Sequence, residues 1–194
     1  MSPPALLVAL GLAWAAAAEA ACRQALALGL DVSGSVDARE YRLQLDGLAA
    51  ALEHPEVTAA LLALPDTPVA LAVFEWSGPG AQRILAPWQR MTGTAAIADL
   101  ADRLRATRRV QMDPSTALGA AKVFGAGLLD AQAGCWRRVL DLSGDGSSNT
   151  GPRPQDRRPE GLTINGLVIG RAGGADGIGA LSSYYRAYVI AGPD

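Results

Sequence analysis

The chain has 194 residues and a formal net charge of −2, with 19% charged and 49% hydrophobic residues. That length suits one domain with a sizeable core, and that balance excludes a disordered chain. There is no basic excess to bind nucleic acid, and the pairs Arg108-Arg109, Arg137-Arg138 and Arg157-Arg158 are scattered as solvated surface would be.

Ala5 to Ala18 is an unbroken apolar stretch, shorter than the ~20 residues of a typical membrane span. Ala18-Glu19-Ala20 then places small residues at both positions of a cleavage site. Residues 1–20 therefore read as a secretory signal peptide cut near Ala20, leaving 21–194 as a secreted or periplasmic domain. No later segment is long and apolar enough for a membrane span. The two cysteines agree with export, since an oxidising compartment would pair Cys22 with Cys135. Cys22 precedes the first strand and Cys135 precedes another. If those strands are parallel neighbours, both cysteines lie at the same end of one sheet.

Ala25–Leu30 has no polar alternation and reads as a strand buried on both faces. It breaks into Asp31-Val32-Ser33-Gly34-Ser35. Asp37 and Glu40 then have capping-box spacing and open a helix toward Ala51. After His54-Pro55, Glu56–Leu64 predicts a short helix. Val69–Trp76 is a buried strand, and Arg83–Trp88 can return beside it as an edge strand of a hairpin. Thr94 is placed to cap a helix to about Ala106. A helix beginning near Thr116 reaches Asp130, and the strand Arg137–Leu142 follows. Thr150–Glu160 reads as a loop, Leu162–Ile169 as a strand, Gly173 to about Arg186 as a helix, and Ala187–Ile190 as the last strand. Strands alternating with helices predict an α/β fold, a doubly wound parallel sheet.

Three loops carry one kind of chemistry. Asp31, Ser33 and Ser35 alternate in a tight loop and can aim three oxygens at one point. Such hard donors suit Mg²⁺, Mn²⁺ or Ca²⁺ better than zinc. The same residues also suit a serine-rich turn that caps a helix. Thr116 stands near a helix start with Gly119 three residues on. Asp145 lies between Gly144 and Gly146 after a strand. Loops that follow the C-terminal ends of parallel strands share one edge, which places the first and third loops together; Thr116 can join them across the crevice, so that five oxygen-bearing side chains would face one point.

The runs D-V-S-G-S at 31–35, T-A-L-G-A at 116–120 and S-G-D-G-S-S-N at 143–149 resemble the von Willebrand factor A domain and its metal-ion-dependent adhesion site (MIDAS). Val36-Asp37, Glu40-Tyr41, Val73 to Gly78, Thr163 to Leu167 and Tyr184-Tyr185-Arg186 further resemble an uncharacterised bacterial group of secreted von Willebrand A-like proteins. The resemblance implies a three-layer α-β-α fold with sheet order 3-2-1-4-5-6, which sets the first and fourth strands side by side. It implies that Asp31, Ser33, Ser35, Thr116 and Asp145 surround Mg²⁺ or Mn²⁺, Ca²⁺ being a poorer fit, and that a partner's Asp or Glu completes the shell. Gly34, Gly119, Gly144 and Gly146 would allow close backbone approach, and Asp113 is an extra acid that could stand behind the ligands. The chain departs from the pattern in two expected ways. The helix before Leu162 is reduced or absent, and the usual C-terminal helix is missing.

The expected function is therefore an exported, metal-dependent protein-binding module for adhesion or scaffolding, not an enzyme. The alternative is a metal-dependent hydrolase or a phosphate-handling enzyme. An aspartyl-phosphate enzyme would want an acid where Ser33 stands. A serine hydrolase would need a base, and the only histidine is His54, beside Pro55. A third possibility is a structural domain with a vestigial site. No glycine pattern matches a dinucleotide fingerprint.

Overall fold

The computed structural model describes residues 21–170 and 177–192. Residues 1–20, the expected signal peptide, and the expected start of the last helix at Gly173 lie outside the described residues. The elements, in chain order, are β1 (Cys22–Asp31), α1 (Ala38–Glu53), α2 (Pro55–Leu62), β2 (Val69–Trp76), β3 (Gln82–Arg90), α3 (Thr94–Ala106), α4 (Leu118–Asp130), β4 (Cys135–Gly144), β5 (Thr163–Val168) and α5 (Ile178–Tyr184). A π-helical turn, Tyr185–Val189, continues directly from α5.

The strands form one five-stranded sheet in the order β3-β2-β1-β4-β5. β1 pairs parallel with β2 and β4, β4 pairs parallel with β5, and β3 returns antiparallel along β2. The expected order holds as far as the fifth strand. In place of a sixth, Ala187–Ile190 lies largely in the π turn, and Ala191 pairs with the sheet through an isolated antiparallel bridge to Ile164. The reason is packing. Tyr185 and Val189 are both fully buried at helical spacing, which overrides the β-propensity of the segment.

The layers follow from side-chain pattern. Tyr41, Leu45, Ala49 and Leu52 recur on one stripe of α1 and pack with Ile97, Leu100 and Leu104 of α3 over Leu71 and Val73. On the opposite face, Leu118, Ala121 and Leu129 of α4 pack with Phe74, Leu140, Leu142 and Tyr185. β1 between these layers is less covered than its apolar sequence implies. Ala25 and Ala27 are fully buried on the α4 side, while Leu26, Leu28 and Leu30 are only half-buried on the α1 side. Between β4 and β5 the described residues include only a 3₁₀ turn, Pro154–Asp156, in place of a full helix.

The capping box at α1 is complete. The Asp37 carboxylate accepts from the amides of Arg39 and Glu40 at 2.7 and 2.8 Å, and Glu40 accepts from the Asp37 amide at 2.9 Å. Thr94 does not cap α3; Gly93 holds that position and Thr94 is the first helical residue. At the far end of the sheet, Cys22 and Cys135 are register partners on β1 and β4 and form a disulfide with a Cα–Cα distance of 4.4 Å.

Candidate metal centre

β1, pinned centrally between β2 and β4, ends at Asp31. The Val32 amide still donates to the Trp76 carbonyl at 2.9 Å, and the residues after it fold into a short loop. The Ser33 amide turns back to donate to Asp31 Oδ1 at 2.9 Å, and the Gly34 amide donates to the Pro114 carbonyl at 2.8 Å. Ser33 and Ser35 hydroxyls stand 3.3 Å apart, and Ser35 Oγ donates to Asp145 Oδ1 at 2.7 Å. Four of the five expected ligands are thus linked in one chain of oxygens across the β1 and β4 tips.

Thr116 is held beside them by the loop after β4. Its amide donates to Asn149 Oδ1 at 2.9 Å, and its carbonyl accepts from the Asn149 amide, also at 2.9 Å. Ser148 Oγ donates to the same carbonyl at 3.3 Å. A Cβ placed on Gly146 would stand 4.0 Å from Thr116 Oγ1, which brings the hydroxyl close to the Asp145 turn.

Gly34, Gly119 and Gly144 work by proximity, not by left-handed backbone, since none of them has positive φ; Gly146, expected to do the same, has room for a Cβ. Gly119 is the tightest. A Cβ there would overlap the Pro152 carbonyl oxygen, so α4 can lie against the 149–153 loop only without a side chain. Asp113 does not join the oxygen chain. Its Oδ1 accepts from the amide and hydroxyl of Ser115 at 2.8 and 2.6 Å, and the carboxyl packs over Gly78. It braces the turn that delivers Thr116.

Asp31 is only 1% exposed, and one of its oxygens, Oδ2, has no hydrogen-bond partner among the described residues. Burial is the main force raising its carboxyl from an ordinary 3.8 to about 6; hydrogen bonds from Ser33 oppose the rise and the charge of Asp145 adds to it. A buried acid left this way asks for a counter-charge. Among the described residues, no three or more His, Cys, Asp or Glu side chains are grouped so as to hold a metal ion by themselves. The donors on offer are two carboxylates and three hydroxyls, a set that fits a hard divalent cation. A groove of about 670 Å³ opens beside Asp31 and Asp145, walled by Val36, Leu43 and Ile169.

Two further groups went unrecognised in the sequence as parts of this edge. Glu75, next in register to Leu30, is buried; Tyr41 donates to Glu75 Oε2 at 2.9 Å, Arg83 Nε donates to Oε1 at 2.7 Å, and the Arg109 guanidinium lies 5.5 Å from the centre of the Tyr41 ring. This network ties α1 to the sheet just behind the first loop. Tyr184 accepts from the Ser148 amide at 3.2 Å, so the end of α5 also reaches the loop that follows Asp145.

The family model described as "Protein of unknown function (DUF1194)" matches residues 21–194. The chain belongs to this family. No curated protein matches the DUF1194 chain. Among solved structures it is similar to proximal thread matrix protein 1 from the mussel byssus, with 16% identity and a TM-score of 0.60 over 79% of this chain and 39% of that one. Another structure of the mussel protein, described as having a zinc-occupied MIDAS motif, matches with 16% identity and a TM-score of 0.53 over 78% and 37% of the two chains. A von Willebrand factor type A protein from Catenulispora acidiphila matches with 17% identity and a TM-score of 0.54 over 77% and 34%. These likenesses establish a von Willebrand A-like fold for the DUF1194 domain, which spans well under half the length of those proteins.

Proposed function

We propose that the domain is an exported, divalent-metal-dependent protein-binding module whose cation is completed by a partner's Asp or Glu. The observation that carries this reading is the buried Asp31 carboxylate, linked through Ser33 and Ser35 to Asp145 at one sheet edge. Asp31, Ser33, Ser35, Thr116 and Asp145 would hold the ion. Two carboxylates balance a divalent charge, while neutral hydroxyls leave the ion attractive to one more anion. Mg²⁺ and Mn²⁺ suit a compact oxygen shell with water positions, and Ca²⁺ prefers more ligands than these loops offer.

Binding is favoured over catalysis by what accompanies the hydroxyls. Ser33 and Ser35 are bonded to each other and to carboxylates, with no imidazole beside them; His54 sits at the junction of α1 and α2. An extracytoplasmic location agrees with the Cys22–Cys135 disulfide and with residues 1–20. No helix of the described residues is long and apolar enough to cross a membrane. The mature domain, immobilised and exposed to envelope or medium proteins, should retain a partner in Mg²⁺ and release it in EDTA. Asp31→Ala should retain none. Retention that is indifferent to EDTA and to Asp31→Ala would contradict the proposal. Turnover of a phosphate ester that requires Asp31 would favour the enzyme reading instead.

A further inference from the structure

We propose that Tyr185 is a positioning residue of the metal centre, and that one buried water joins its hydroxyl to Asp31 Oδ2 and to the Trp76 indole. This role rests on reading the Asp31 edge as a metal site; the water itself does not.

Tyr185 opens the π turn, far along the chain from the three oxygen-rich loops. It is 1% exposed, and its ring lies in a slot made by two glycines. Gly166 is the register partner of Leu142, and Gly144 lies two residues beyond Leu142, so the two glycines share one face of the sheet on neighbouring strands. A Cβ on Gly166 would come within 2.5 Å of Tyr185 Cδ1, and one on Gly144 would overlap the Tyr185 hydroxyl. Any side chain at either position would expel the tyrosine. The slot aims the hydroxyl at the tip of β1.

Three side chains around that spot each carry a buried polar atom without a partner among the described residues: Tyr185 Oη, Asp31 Oδ2 and Trp76 Nε1. The point a Gly144 Cβ would occupy lies beside the hydroxyl, 3.0 Å from Asp31 Oδ2 and 3.5 Å from Trp76 Cζ2, two bonds from the indole nitrogen. Tyrosine and acid do not bond each other directly. Unpaired buried polar groups are rare, and three around one small space are what a buried water satisfies, at about three hydrogen bonds per water. Such a water can donate to Asp31 Oδ2 and accept from the hydroxyl or the indole. With the Ser33 amide on Oδ1, both carboxylate oxygens are then fixed and the acid cannot rotate away from the metal edge. Tyr184, the preceding residue, accepts from the Ser148 amide at 3.2 Å, so the tyrosine pair holds both carboxylate-bearing loops.

Tyr185→Phe keeps the ring and removes one oxygen. The expected result is an unchanged melting temperature in EDTA, Mn²⁺ binding weakened roughly tenfold in calorimetry, as is usual when a residue that orients a metal ligand is lost, and a shifted carboxylate stretch in the infrared difference spectrum on adding Mn²⁺. A crystal structure of the metal-free wild type should show a water within about 3 Å of both Tyr185 Oη and Asp31 Oδ2. Wild-type Mn²⁺ affinity and an unshifted stretch in Tyr185→Phe would overturn the positioning role. A direct Tyr185–Asp31 bond, or no ordered water there, would overturn the water, whether or not the variant folds. Failure of the wild type itself to bind Mn²⁺ would overturn the metal centre and Tyr185's role with it, leaving the crystallographic water to be judged alone.

Discussion

Replacing Asp31 by Asn should stabilise the metal-free domain while abolishing its response to metal. Burial lifts the Asp31 carboxyl from 3.8 to about 6. At about 1.4 kcal/mol per pH unit, the charged form costs the metal-free fold up to about 3 kcal/mol at neutral pH. Asn removes the charge and keeps an oxygen for the Ser33 amide, but its own amide is still desolvated. We therefore expect a gain of about 1–2 kcal/mol, or roughly 3–6 °C in melting temperature for a domain of this size. The pH dependence has a definite sign. Between pH 3.8 and about 6 the folded protein keeps the Asp31 proton that the unfolded chain has lost, so wild-type stability falls as pH rises through that window. The advantage of Asp31→Asn should be near zero below it and complete above it. Thermal melts in EDTA across that range measure this directly, and melts with Mn²⁺ should reverse the order, because only the wild type gains stability by mass action. A variant less stable than wild type in EDTA at neutral pH, or a difference that does not change with pH, would refute the reasoning.

Removing the disulfide by Cys22→Ser with Cys135→Ser opens a loop spanning 113 residues of sequence, and should lower stability by up to about 4–5 kcal/mol in denaturant melts; a loss under about 1 kcal/mol would show that the sheet holds these ends unaided. Gly119→Ala forces a methyl onto the Pro152 carbonyl, and should cost at least about 2 kcal/mol and raise amide exchange across 145–153; neutral behaviour would contradict that packing. Arg83→Ala leaves the buried Glu75 carboxylate with only the Tyr41 hydroxyl, and should cost about 2–3 kcal/mol, largely recovered by a second change of Glu75→Gln in a double-mutant cycle.

The gathering of the three oxygen-bearing loops at one edge was legible because each pairs carboxylate or hydroxyl oxygens with glycine, and two of them follow the ends of parallel strands. The capping box at Asp37 and Glu40 and the placing of Cys22 and Cys135 ahead of two strands were legible for the same local reason. What the sequence hid depends on distant packing. Ala187–Ile190 has strand-like residues, yet Tyr185 and Val189 find a core at helical spacing and wind the segment into a π turn. Leu26, Leu28 and Leu30 look fully buried in an apolar run, but the helices on the α1 side leave them half-covered. Asp113 sits close to Thr116 in sequence, yet its carboxyl turns back onto Ser115. Tyr185 has no sequence signal tying it to Asp31; only Gly144 and Gly166 hint at it, by leaving room for a ring that arrives from the end of the fold.

Asp31 and Asp145 are proposed to hold one divalent ion at the sheet edge. Titrating Mn²⁺ into the mature domain and into Asp145→Ala, read by water-proton relaxation, tests this most directly. Saturable binding of one Mn²⁺ per chain is expected in the wild type and none in the variant; equal binding by both proteins, or no saturable binding by the wild type, would contradict the proposed metal centre.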